Sequence, residues 1–285
     1  MHRPTNVTSL PPAVRLTRIV ALAVILGLAI VNLYWAITNW TLSDASAYWN
    51  AALRLRDGGA LYPVLASVDA SEVYRYAPWF AWLTVPATYL PVQLAGALWS
   101  AALLAASAVA LVPLLRARAW LLVAFFAPIL VGISAVGNVQ PLLIAPLVWS
   151  VERRSGPLWI GVAASLKIFP ILFAAVYLGR REWLRATAAV AVAALLWAPA
   201  FLYDLRGYAT EAGQAASLIA VPILWAVVVA AFVGVTLRLA RGRYAWLTAA
   251  ATVAVSLPRL FVYDVTYLML GTAGSVPPGG SRSGR

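Results

Sequence analysis

Thr41 to Pro78 reads TLSDASAYWNAALRLRDGGALYPVLASVDASEVYRYAP, a polar island set directly after the first long apolar run of a chain that is 63% hydrophobic and 11% charged. The island holds four of the nine carboxylates, Asp44, Asp57, Asp69 and Glu72, with Arg54, Arg56 and Arg75 and the tyrosines Tyr48, Tyr62, Tyr74 and Tyr76. A loop of that length is either functional or disordered, and this one is too aromatic for a disordered segment. It is therefore read as a structured loop, and the runs on either side of it as helices in lipid.

The composition supports that reading. Mean hydropathy is +0.86, whereas an ordinary soluble domain carries about a quarter charged residues. Backbone groups in lipid must be satisfied within their own segment or in a closed barrel. The runs here are continuous Ala, Leu and Val rather than alternating ten-residue strands, so the spans are helices. The net charge of +12 comes from twenty arginines and one lysine. The arginines fall in short clusters between apolar runs, the pattern of cytoplasmic loops facing anionic lipid, not of a nucleic-acid surface. Cysteine is absent and His2 is the sole histidine. That excludes disulfides, a thiolate metal site and a cysteine nucleophile, and leaves a carboxylate, a tyrosine or the lysine as catalyst.

Residues 1–18 form a polar, basic leader. Ile19 to Ile37 reads as an uncleaved first span, because it is about twenty residues long and ends in the interfacial anchors Tyr34, Trp35 and Trp40. With the N-terminus in the cytoplasm, the island lies outside. Within it, Ser43 and Asp44 suit an N-cap. Tyr48, Ala51, Ala52 and Leu55 share one face of an amphipathic helix, which Asp57-Gly58-Gly59 ends. Trp79 to Leu90 is short and proline-broken, hence interfacial or re-entrant. Spans follow over Gln93–Leu115, Trp120–Ser134 and Pro141–Val151. Gly156 to Leu178 lies between Arg153-Arg154 and Arg180-Arg181 and reads as a hairpin with its tip at Lys167, or else as a single crossing. Leu184–Leu202, Leu218–Leu239, Tyr244–Leu257 and Phe261–Thr272 complete roughly ten passes. Residues 19–273 form one membrane domain, and the Gly/Pro/Ser-rich 274–285 reads as a disordered tail. This topology places fifteen arginines inside and seven of the nine carboxylates outside.

Polar residues with chemical potential gather on the outer face. Asp44 stands one or two turns past the first span, where it suits a base for a hydroxyl held near the headgroups; its alternative role, the N-cap, is compatible. Lys167 sits in the apolar run Val162 to Pro170. An ionisable group inside a membrane marks function, the alternative being snorkelling to an interface. A lipid-linked phosphate would offset its desolvation, with Arg75 or Arg259 adding charge. Asn138 and Gln140 suit substrate contacts or helix caps. Asp264 suits the substrate site or a local ion pair with Arg259. Tyr48, Tyr74 and Tyr76 suit interfacial anchoring or stacking on sugar rings.

In order, these blocks resemble glycosyltransferase family 87. They begin with Asp44, then Tyr48-Trp49-Asn50-Ala51-Ala52, Gly58-Gly59-Ala60-Leu61-Tyr62-Pro63, Tyr74-Arg75-Tyr76-Ala77-Pro78 and Pro86-Ala87-Thr88-Tyr89-Leu90-Pro91. The turn Gly137-Asn138-Val139-Gln140-Pro141-Leu142-Leu143 and the segment Gly161 to Pro170 around Lys167 are similar to two further blocks of the family. The likeness covers about residues 20–200. It implies an all-α polytopic transmembrane bundle of the GT-C kind and a polyprenyl-phosphate-mannose-dependent α-mannosyltransferase. Asp44 matches the first-loop catalytic aspartate; Lys167, Asn138 and Gln140 match positions near the lipid-phosphate donor. The functional histidine that some members carry near the C-terminus has no counterpart in Pro258 to Asp264. No nucleotide-binding glycine loop is apparent and no carboxylate set demands a divalent ion, so no cofactor or metal site is expected. The expectation is an inverting hexosyltransferase of a bacterial plasma membrane. It would use a polyprenyl-phosphate sugar and a glycolipid or glycan acceptor on the outer face. A lipid-sugar or small-solute transporter is the alternative.

Overall fold

The computed structural model describes residues 12–65, 73–208 and 220–275, and every regular element among them is helical. The all-α expectation holds. Asp69, Glu72, Glu211, the first eleven residues and most of the expected tail lie outside the described residues. Helix α1 (Pro12–Thr38) begins inside the stretch read as a leader. It is followed by α2 (Ser43–Arg56), α3 (Pro78–Thr84) with a 3₁₀ turn over Val85–Tyr89, α4 (Val92–Arg116), α5 (Trp120–Ala135), α6 (Gln140–Ser150) and α7 (Gly156–Leu166). A 3₁₀ turn over Phe169–Phe173 leads into α8 (Ala174–Gly179). Then come α9 (Trp183–Trp197), α10 (Pro222–Leu239), α11 (Ala245–Ser256) and a 3₁₀ helix over Val262–Ser275. By length and composition, four segments suffice to cross a membrane: Ile19–Thr38, Val92–Arg116, Trp183–Leu202 and Pro222–Leu239. The remaining apolar helices run 10–17 residues, short of the ~20 that a crossing needs. Length alone thus supports four passes among the described residues, against the ten expected.

The short helices are joined as antiparallel pairs whose turns alternate between two ends of the bundle. One end gathers the turns at 117–119, 151–155, 180–182 and 240–244, and with them most of the arginine clusters. Its centre is Glu152, which accepts both terminal nitrogens of Arg180 at 2.7 and 2.9 Å and the Trp246 indole at 2.6 Å. Burial works against the Glu152 charge, but the Arg180 and Trp246 donors outweigh it and hold the carboxyl below the usual glutamate range. Arg185 donates to Glu182 at 2.7 Å and to the Val151 carbonyl at 3.1 Å, and the Tyr177 hydroxyl donates to that same carbonyl at 2.6 Å. These bonds bring the loop of Arg153-Arg154 and the loop of Arg180-Arg181 to one end. Residues 156–179 are therefore a hairpin with Lys167 at its far tip, and the single-crossing alternative is set aside.

Helix α7 reaches α9 through Gly161. A Cβ there would lie 2.6 Å from the Val192 side chain and 2.8 Å from the Ala189 carbonyl, so hydrogen is the only substituent the contact admits. Gly161→Val is expected to separate α7 from α9 and cost about 1–3 kcal/mol or more by overpacking, read as a lower thermal midpoint in detergent. The last element differs from the α-helical pass expected over Phe261–Thr272. Asp264, Tyr267 and Leu270 are all buried, a stripe with the three-residue repeat of a 3₁₀ helix.

Candidate active site

The opposite end of the bundle gathers the N-terminus of α2, the α5–α6 turn, the Lys167 tip and the loop after α11. Helix α2 starts without a side-chain cap. Leu42, at its N-cap position, is left-handed (φ 51°). The backbone N–H of Leu42 donates to Ala135 O at 3.1 Å and that of Asp44 to Val136 O at 2.7 Å. The capping role considered for Asp44 is thus not the one observed: carbonyls at the end of α5 satisfy these donors of the first turn. Asp44 keeps the position in the first turn, where the helix dipole favours an anion. Ala47, Tyr48, Ala51 and Ala52 form the buried face of α2, as the periodicity predicts. Gly58 (φ +74°) turns the chain out of the helix, and Gly59 N–H donates to Arg54 O at 2.7 Å.

The tyrosines of the island pack inward. Tyr48 and Tyr76 share a hydrogen bond between hydroxyls at 3.1 Å, and their rings meet edge-on at 5.1 Å. Tyr62 donates to Tyr76 O at 2.8 Å, and Tyr74 stacks on Tyr62 at 5.8 Å while donating to Ala77 O at 3.0 Å. Tyr74 is therefore a buried structural residue behind the site.

The α5–α6 turn joins the two chemically distinct halves. Gly137 adopts φ +80°, and a Cβ on it would lie 2.7 Å from that of Ala45, so glycine lets the turn lie against the start of α2. Asn138 Nδ2 donates to Asp44 Oδ2 at 2.6 Å, and its Oδ1 accepts from Gln140 N–H at 2.9 Å. Gln140 Nε2 donates to Thr266 at 3.3 Å, and its Oε1 accepts from Lys167 Nζ at 2.8 Å. Lys167 ends α7 in an extended conformation. Its ammonium lies 3.9 Å from Asp264 Oδ1 and 4.6 Å from the centre of the Tyr263 ring. The side chains of Lys167 and Asp264 are 15% and 3% exposed, so the lysine is held in the interior instead of snorkelling to an interface. Asp264 also accepts from Phe261 N–H at 2.9 Å. The ion pair expected between Asp264 and Arg259 is replaced by one with Lys167, and the Arg259 guanidinium lies over the Phe261 ring at 4.7 Å.

A cavity of about 450 Å³ opens among these groups. Asp44, Tyr48, Arg75, Tyr76, Asn138, Lys167, Arg259 and Asp264 all line it; Tyr74 and Gln140 stand behind its wall. Tyr208, in a loop, and Tyr263, at the start of the C-terminal 3₁₀ helix, also line it. Tyr208 is brought in by edge-on packing at 5.4 Å on both Tyr62 and Trp197. Three cations, Arg75, Lys167 and Arg259, and two carboxylates, Asp44 and Asp264, are in the lining. Among the described residues no group of three His, Cys, Asp or Glu side chains is placed to hold a metal ion.

No curated protein and no solved structure matches the chain. Residues 74–209 match the family model of Glycosyltransferase family 87, a stretch that includes Arg75, Tyr76, Asn138, Gln140 and Lys167 and leaves Asp44, Arg259 and Asp264 outside it. Over that stretch, just under half of the chain, the protein is similar to this glycosyltransferase family, and its long apolar helices suggest an integral membrane protein.

Proposed function

We propose that the protein is an inverting glycosyltransferase moving one hexose, mannose, from a polyprenyl monophosphate to an acceptor hydroxyl on the extracytoplasmic face. The observation that carries the reading is the single cavity lined by both the Asp44 carboxylate and the Lys167 ammonium. The acceptor oxygen attacks the anomeric carbon and loses its proton to Asp44 as general base. The bond from that carbon to the phosphate oxygen breaks on the opposite side, and the lipid phosphate leaves with the electron pair. That leaving group is a stable anion, so cationic stabilisation by Lys167, Arg75 and Arg259 serves it better than a proton donor.

A second feature supports a lipid-linked donor. An apolar groove of about 400 Å³ lies between α1, α5 and the C-terminal 3₁₀ helix, and Phe261 lines both this groove and the cavity. An amphiphile with its phosphate in the cavity has an apolar path for its chain. The crowding of arginines at the opposite end supports an outward-facing cavity by the positive-inside rule. The family match does not favour a transporter. The test is purified protein in lipid with radiolabelled polyprenyl-phosphate-mannose and an extracted glycolipid pool. Label moving into the acceptor fraction is expected; donor bound or translocated without transfer would replace the enzyme by the transporter.

A further inference from the structure

We propose that Asn138 is the positioning residue of the site. It holds one oxygen of the Asp44 carboxylate so that the other faces the acceptor. This rests on the reading of Asp44 as the base. The orientation of the Asn138 amide follows from its partners. Its Oδ1 accepts from a backbone N–H, that of Gln140, so the nitrogen end must be the one toward Asp44. The reverse orientation would set an amide oxygen against a carboxylate oxygen and a donor against a donor. The amide is 3% exposed and Gln140 fully buried, so water does not compete for these bonds. Asp44 Oδ2 is thereby occupied at 2.6 Å, and Oδ1 has no protein donor among the described residues. One carboxylate oxygen is clamped and the other is left for a hydroxyl proton.

The same turn reaches the phosphate side. Gln140 Oε1 takes one of the three hydrogens of the Lys167 ammonium, and the other two lie on the side of Asp264 and the Tyr263 ring, with no hydrogen bond from them to Asp264 at 3.9 Å. The backbone of Val139 donates to the Tyr48 hydroxyl at 3.3 Å, and the Trp99 indole donates to Gly137 O at 2.8 Å. The turn is therefore bonded on both sides, and a change at Asn138 is transmitted to Asp44 rather than absorbed by movement of the turn.

The test is made on the full chain in lipid, with radiolabelled polyprenyl-phosphate-mannose, and records kcat, donor KM, thermal stability and the pH profile of transfer. Asn138→Ala is expected to lower kcat roughly ten- to a hundredfold, the worth of one charge-assisted hydrogen bond, with donor KM changed less than about threefold. Asn138→Asp places a second carboxylate against Asp44, and two carboxylates sharing a site do not both ionise readily. Its acid limb is expected to move up by roughly one pH unit or more. Tyr48, Tyr76, Tyr263 and Lys167 also face Asp44; they are unchanged between wild type and variant, so the displacement reports the new carboxylate. A merely structural asparagine would lower stability and leave the limb in place. An unmoved acid limb in a folded Asn138→Asp protein overturns the proposal. If that variant does not fold, the split in Asn138→Ala decides: kcat lost at constant KM supports positioning, and equal loss in both, or in neither, overturns it. A wild-type protein that transfers nothing removes the glycosyltransferase reading itself, an outcome distinct from a wild-type protein that transfers while Asn138 is silent.

Discussion

Asp44→Asn is expected to lower transfer by about 10²–10⁴-fold, the usual contribution of a general base, while donor binding and the fold persist. The structure sharpens the experiment. Asp44 does not cap α2; backbone carbonyls at the end of α5 receive the Leu42 and Asp44 N–H groups. The stability cost of about 1 kcal/mol that follows loss of a side-chain cap is therefore not expected here. An asparagine oxygen can still accept from Asn138 Nδ2, so the bond of 2.6 Å survives in neutral form. What vanishes is the capacity to take a proton. The measurement is label transfer at saturating donor beside a thermal melt: near-normal turnover in Asp44→Asn removes the base from that position, and a large drop in thermal midpoint would restore a structural role.

The sequence makes the scaffold of this site legible where it repeats a simple period or places charge. Continuous apolar runs announce helices, the face of Tyr48, Ala51 and Ala52 emerges as the buried side of α2, and the paired arginines at 153–154 and 180–181 point to a hairpin with Lys167 at its tip while leaving a single crossing open. The pairings inside the site are less legible because they join residues far apart in the chain. Asp264 lies five residues from Arg259, and local spacing favours that pair. The observed partner is Lys167, delivered by packing of the C-terminal 3₁₀ helix against α11 and α6. Asn138 and Gln140 stand out as amides at a turn, but nothing in the local sequence says that one faces Asp44 and the other Lys167. The 3₁₀ character of Val262–Ser275 is hidden for another reason: with 262, 263, 265 and 267–270 all apolar, no single period stands out in the sequence. Tyr208 reaches the cavity through rings at Tyr62 and Trp197, a contact of the tertiary structure alone.

Lys167→Met is expected to lower transfer or donor affinity roughly ten- to a hundredfold, because a charge-assisted contact to phosphate is worth about 1.5–3 kcal/mol. The single variant also changes stability, and the two effects need separating. Asp264 has a side chain 3% exposed and its ion-pair partner is Lys167, 3.9 Å away. Removing one member of a buried pair costs about 3–5 kcal/mol, with the lower end expected at so long a separation and with Phe261 N–H still donating to Asp264. The double variant Lys167→Met/Asp264→Asn removes both charges and is expected to regain most of the lost thermal stability. It should not regain transfer, since no ammonium then meets the phosphate. Lys167→Arg keeps the charge but replaces a compact ammonium by a planar fork. In the confined space between Gln140 Oε1, the Tyr263 ring and Asp264, it is expected to recover only part of the activity. Donor binding, transfer and thermal midpoint measured on all three variants decide the role. If the double variant regains transfer along with stability, Lys167 serves only to neutralise Asp264; if stability returns and transfer does not, the ammonium acts on the donor.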